Sequence, residues 1–140
     1  MKYLLLVATT ILGFTPALRA GEGHGHGHSH EHITIPATLP EVRTEITAQQ
    51  QKLADSLAAK DAQAAHTATD ALSALVQAVP GKTDGLDETT LQRLRGMANN
   101  AAKAWGNAAH HAEHGDYEKA GLEASKAGAA YRMLEARLAP

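Results

Sequence analysis

From residue 38 onward, apolar residues recur every three or four positions with charged and amide residues between them, the period of an amphipathic helix. Four such stretches follow one another. Thr38, Leu39, Pro40 and Glu41 form a capping-box pattern with Pro in the first turn, where its missing N–H costs nothing. The first helix is predicted to run to about Lys60, with Val42, Ile46, Leu53 and Leu57 on one stripe. Gln49, Gln50 and Gln51 interrupt that stripe, and a polar residue so placed can set register. Asp61 is the next N-cap, almost without a loop. The second helix turns Ala65, Thr69, Leu72, Val76 and Val79 inward, with Leu75 alongside, and stops at Pro80 and Gly81.

Residues 82–86 are the one true loop. Asp87 caps the third helix, and Leu86 with Leu91 hold the positions of a hydrophobic staple. The third helix is the clearest heptad: Leu91, Ala98, Trp105 and Ala112 at one seam position, Leu94, Ala101 and Ala108 at the other. Gly115 ends it and Asp116 caps the fourth, whose stripe is Tyr117, Ala120, Ala124, Ala127, Tyr131, Leu134 and Leu138. Seams made mostly of Ala predict close helix approach, with Trp105 and Tyr131 filling the wider layers. The two hairpins align as a weak internal repeat when Asp61 is set on Asp116. The expected fold class is all-α: an up-down-up-down antiparallel four-helix bundle over residues 38–140.

The first 37 residues follow a different pattern. Residues 1–20 carry Lys2, an apolar run over residues 3–14, then Gly13 and Pro16 before small residues. The run is too short to span a bilayer, so it reads as a cleaved secretory signal rather than a retained anchor, with cleavage after Ala20 preferred to Ala17. Residues 21–37 form a His-rich segment and linker. Its centre, residues 23–32, reads GHGHGHSHEH, placing His24, His26, His28, His30 and His32 at every second position with Gly, Ser and Glu between them. Neutral imidazole is the commonest side-chain ligand for borderline divalent metals, and Gly lets the backbone fold several rings around one ion. With almost no apolar surface to bury, the tract is expected to be disordered without metal, the bland alternative being a solvated pH-sensitive spacer. Cleavage after Ala20 would leave His24 fourth, one position beyond the amino-terminal Cu(II) or Ni(II) site that a third-position His makes. Residues 33–40, with two prolines, read as an extended tether.

Composition narrows the classes. In 140 residues with a formal net charge of −2 there is room for one core and no basic face for nucleic acid. The absence of Cys excludes disulfides, thiolate metal sites, c-type haem attachment and a cysteine nucleophile. No phosphate loop, H-E-x-x-H, nucleophile elbow or inward carboxylate pair is present, so the chain does not read as an enzyme.

Two further histidine groups lie on the predicted helices. His110 and His114 are four apart at the end of the third helix, so their rings project from one face and can share an ion; His111 sits nearer the core edge, and Glu113 and Asp116 offer oxygen ligands. Histidines at a helix C-terminus also favour the helix dipole without any metal. His66, with Asp70 one turn on, is either a ligand with a supporting carboxylate or a helix-surface pair. Antiparallel pairing of the second and third helices would bring these groups to the same end of the bundle.

With helices so placed, tight first and third turns and a longer middle connection, the plan resembles cytochrome b562, most closely over residues 114–120 and the Ala-rich helix that follows with Tyr131. That family holds haem with a Met in its first helix and a His in its fourth; here neither helix supplies that residue, so the haem site is not carried over. Residues 52–65, with Leu72 beyond, are similar to small periplasmic helical domains found with heavy-metal efflux systems.

The leading expectation is an exported, periplasmic bundle, monomeric or weakly dimeric, that binds divalent transition metal (Zn, Cu, Ni or Co) for buffering, sensing or delivery to a membrane transporter or efflux component. One alternative is a haem or electron-transfer bundle using His111 or His66 with Met97 or Met133. Another is an adaptor binding a partner helix through exposed Leu122 and Met133, with the histidines a pH-responsive tether.

Overall fold

The computed structural model describes residues 33–138; the export-signal and His-tract readings fall on residues 1–32, outside that range. The fold is all-helical among the described residues. Four helices pack against one another as a bundle: α1 (Leu39–Ala59), α2 (Ala62–Ala78), α3 (Glu88–Glu113) and α4 (Tyr117–Ala136), with a short 3-10 turn over Val79–Lys82. None is long and apolar enough to cross a membrane.

Each helix begins where the sequence offers an oxygen acceptor. Thr38 accepts from the Glu41 backbone while the Glu41 carboxylate returns to the Thr38 N–H at 3.0 Å, a complete capping box. Asp61, Asp87 and Asp116 accept from the backbone N–H groups of Ala64, Thr90 and Lys119. These contacts also act on the carboxyls. A hydrogen bond from the Thr38 side chain holds Glu41 below its ordinary value, and Thr90 and Lys119 do the same for Asp87 and Asp116. Glu123 is lowered by Lys126 and then by Asn107. A carboxyl lowered by folding stabilises the native state above its unfolded value and loses that contribution as pH falls through the folded one. Thermal melts followed by circular dichroism are therefore expected to give a flat midpoint near neutrality and a progressive fall below about pH 4.5.

The helix stops differ. At the end of α3, Gly115 takes φ +76°, with its N–H on Ala112 O and the Asp116 N–H on His111 O, a Schellman closure. The α1 to α2 turn uses the same closure without glycine: Lys60 sits at φ 56°, with its N–H on Leu57 O and the Asp61 N–H on Ser56 O. A side chain there strains the backbone, so Lys60→Gly is expected to stabilise by about 1 kcal/mol in urea denaturation. Gly96 and Gly106, mid-helix with open space where a Cβ would stand, are expected to give about 0.5–1 kcal/mol each on change to Ala.

The core follows the sequence stripes closely. Val42, Ile46 and Leu53 of α1, Ala65, Leu72, Leu75 and Val76 of α2, Leu94, Ala98, Ala101, Trp105 and Ala112 of α3, and Ala120, Ala127, Tyr131 and Leu134 of α4 form one cluster. Leu86 differs from its expected role as a staple: it is 38 % exposed and outside the core. Polar groups buried in the stripes are satisfied locally, Thr69 donating to His66 O and Ser56 to Leu53 O.

Contacts between helix ends set their arrangement. Tyr117, opening α4, donates its hydroxyl to Lys60 O at 2.8 Å, fastening the α3 to α4 turn to the α1 to α2 turn. At the other end of α1, Arg43 Nε, shielded from solvent, lies 3.3 Å from Glu135 Oε1, and Tyr131 donates to the same oxygen at 2.8 Å. Burial, then the Glu135 hydrogen bond, pushes the Tyr131 phenol well above its ordinary value, so it remains a donor. Helix α3 is closely joined to both α2 and α4, as its small residues predict, whereas α1 and α4 meet only sparsely.

Candidate metal centre

The helical histidines gather where α2 begins and α3 ends. His66 stands one turn into α2, and its Nε2 lies 3.3 Å from Asp70 Oδ2 on the same helix. Its Nδ1 lies 2.6 Å from Glu113 Oε1 at the end of α3. The side chain is 30 % exposed and both carboxylates are 47 % exposed. Each ring nitrogen therefore faces a carboxylate oxygen, one from its own helix and one from its neighbour. Two carboxylates against different nitrogens of one ring do not converge on a single point. The cluster joins the start of α2 to the end of α3.

On the next turns of α3, His110 and His114 meet edge to face, with ring centroids 4.5 Å apart and planes at 72°. His111 is 6.0 Å from His110, half-buried, while His110 and His114 are exposed. Two imidazoles bound to one tetrahedral Zn at about 2.0–2.1 Å point their nitrogens, not their faces, at a common point. The His110 and His114 rings thus stand at chelating distance in a packing orientation, and a rotation about their exposed side-chain bonds is what chelation requires. Glu113 is engaged with His66 and Asp116 with Lys119, so the two expected oxygen ligands have other partners. Among the described residues no group of three or more His, Asp or Glu is arranged to hold a metal ion.

Met97 is half-buried beside the core, and Met133 is 65 % exposed on α4. Leu122 is 57 % exposed, as the adaptor reading expects. Both it and Met133 fall on one side of α4, being eleven residues apart. His24, His26, His28, His30 and His32 lie outside the described residues.

The link between His66 and Glu113 joins two residues that the sequence flagged separately, one with Asp70 and one with the His110 pair. Only the rotation of α2 against α3 makes them partners, and heptad spacing does not fix that rotation. A cavity between α1 and α4 had no sequence forecast. It is lined by Gln50, Leu53, Leu57, Trp105, Gly128 and Arg132 among others. Its signals were the break at Gln49–Gln51 in the α1 stripe and the small residues Gly121, Ala124, Ser125 and Gly128 facing it. The sequence matches no known family, and comparison with curated proteins and with solved structures found no relative of this chain.

Proposed function

We propose that this chain is an exported, non-enzymatic metal-binding protein, in which an up-down-up-down four-helix bundle carries a histidine tract that takes up divalent Zn, Cu, Ni or Co. The observation that carries the reading is the run of five histidines at alternate positions over residues 23–32. That density of ligands on a glycine-rich backbone suits several ions without selecting a fixed geometry. The antiparallel arrangement is supported by the Tyr117 to Lys60 bond at one end and the Arg43 to Glu135 pair at the other. The apolar run over residues 3–14 supports export, with the periplasm as the destination. The His110 and His114 pair is an auxiliary site that adds two ligands on the bundle.

The role that fits is a carrier that buffers metal and hands it to a membrane transporter or efflux component. Binding through imidazoles weakens as they protonate below about pH 6.

The test is calorimetric titration of Zn(II) and Cu(II) into the full chain and into two multiple variants. Changing His24, His26, His28, His30 and His32 to Ala is expected to weaken binding at least tenfold and reduce the stoichiometry. Changing His110 and His114 to Ala is expected to remove a minor, weaker phase. Unaltered heats in the first variant would refute the proposal. A second reading, docking of a partner helix on α4, is favoured by the exposed Leu122 and Met133. Metal-independent association abolished by Leu122→Ser with Met133→Ser would support it.

A further inference from the structure

Along the sparse seam between α1 and α4 lies an open cleft of about 410 Å³, within the range of about 300–1,000 Å³ typical of small-molecule sites. One wall is apolar: Leu57 of α1 and Ala124 of α4 are part-exposed there, over the buried Leu53 and Trp105. Gln50 of α1 and Ser125 and Arg132 of α4 line the same space. The floor at Gly128 is bare backbone, and a Cβ built there would stand 3.7 Å from Arg132 Nη1 and 3.8 Å from Gln50 Nε2. The guanidinium and the amide thus approach one point of the floor from opposite helices, within reach of the two oxygens of one carboxylate.

The charge in this cavity is uncompensated. Arg132, an exposed side chain, is the charged residue of the lining and contacts no carboxylate among the described residues. The side chains of Gln50 and Ser125 make no hydrogen bond among the described residues either. No wall carries a His or Met, so the site has no ligand for a haem iron or a soft metal. Concave apolar surface with a few convergent polar groups is the usual form of a ligand site, and a guanidinium with an adjacent amide donor selects a carboxylate.

We propose that the α1 to α4 cavity binds a small amphipathic monocarboxylate, its hydrocarbon body along Leu57 and Ala124 and its carboxylate held by Arg132 with Gln50. Desolvated hydrocarbon supplies affinity, and Arg132 supplies the preference for an anion over a neutral or cationic head group. This site is separate from the histidines and does not depend on the metal reading.

Trp105 is the sole Trp of the chain and lines the cavity, so its fluorescence reports occupancy directly. The full chain, kept in chelator to exclude metal effects, is titrated with octanoate, 1-octanol and octylamine at neutral pH and concentrations below micelle formation. The expected result is a saturable change in Trp105 emission with octanoate, at a Kd at least tenfold below those of the alcohol and the amine. Arg132→Gln, a change at an exposed position, is expected to abolish that preference while leaving octanol binding in place. Gly128→Leu is expected to fill the floor and weaken all three, with its helical circular dichroism retained as the check on folding. No saturable change with octanoate, equal affinity for octanoate and octanol, preference for the amine, or a preference that survives Arg132→Gln would each overturn the proposal.

Discussion

Trp105→Ala is expected to lower the unfolding free energy by about 3–5 kcal/mol, the cost of a deleted large aromatic in a core that cannot close over the gap. The residue is 1 % exposed on α3, with its ring 6.3 Å from that of Tyr131 and tilted 45° to it. Its neighbours along the seam are Ala98, Ala101, Ala108 and Ala112, which have no side-chain length with which to collapse inward. Against a typical total of about 5–15 kcal/mol for a small domain, this loss removes a large share of stability. Urea denaturation followed by circular dichroism at 222 nm measures it without using the lost fluorophore. Trp105→Phe, which keeps a ring beside Tyr131, is expected to cost less than half as much. Equal losses in the two variants would show that the indole edge, not the filled volume, holds the layer together.

The opposite error, too much volume, is expected to be costly at Ala101. This residue is fully buried, on the seam that brings α3 close to its neighbours. Ala101→Leu inserts three heavy atoms where backbones approach closely, and overpacking of this kind costs about 1–3 kcal/mol or more. The control is Gly128→Ala on the loosely joined side of α4. The added methyl there meets only the Arg132 and Gln50 side chains at ordinary contact distance and gains helix propensity of about 1 kcal/mol. The pair should therefore move in opposite directions in the same denaturation experiment. A neutral Ala101→Leu would mean that the bundle relaxes by sliding α3, and that close packing does not fix its geometry.

Much of the fold is legible in residue order, for reasons of local chemistry. Thr38, Asp61, Asp87 and Asp116 mark all four helix starts, because a side-chain oxygen three residues before an orphan N–H is an interaction that needs no tertiary partner. Gly115 marks one helix end for a similar reason. Lys60 at positive φ was not legible, since nothing about lysine announces the left-handed conformation; the close succession of Ala59 and Asp61 demanded it. Leu86 followed a local rule that the loop before α3 does not satisfy. The polar sites were harder to foresee. His66 meeting Glu113 and Arg132 lying near Gln50 are relations between helices, set by rotations about their axes. Periodicity names which residues share a face and leaves open which faces meet. The histidine tract is the reverse case: its proposed metal chemistry rests on composition alone, and it lies outside the described residues.

The uneven joining of the helices has a consequence for how the native state opens. Helix α3 shares broad Ala-lined contacts with α2 and with α4, while α1 rests chiefly on α2 and touches α4 at few points along its length. Its attachment to α4 depends on Arg43 at its first turns, and to the α3 to α4 turn on the Tyr117 to Lys60 bond at its last. Regions with few buried contacts exchange their amide hydrogens through partial openings that leave the rest intact. Helix α1 is thus the segment expected to detach at the lowest free energy, leaving α2 and α4 on either side of α3. Because α1 follows directly on residues 1–38, whatever grips the amino-terminal stretch pulls on the least firmly held part of the molecule.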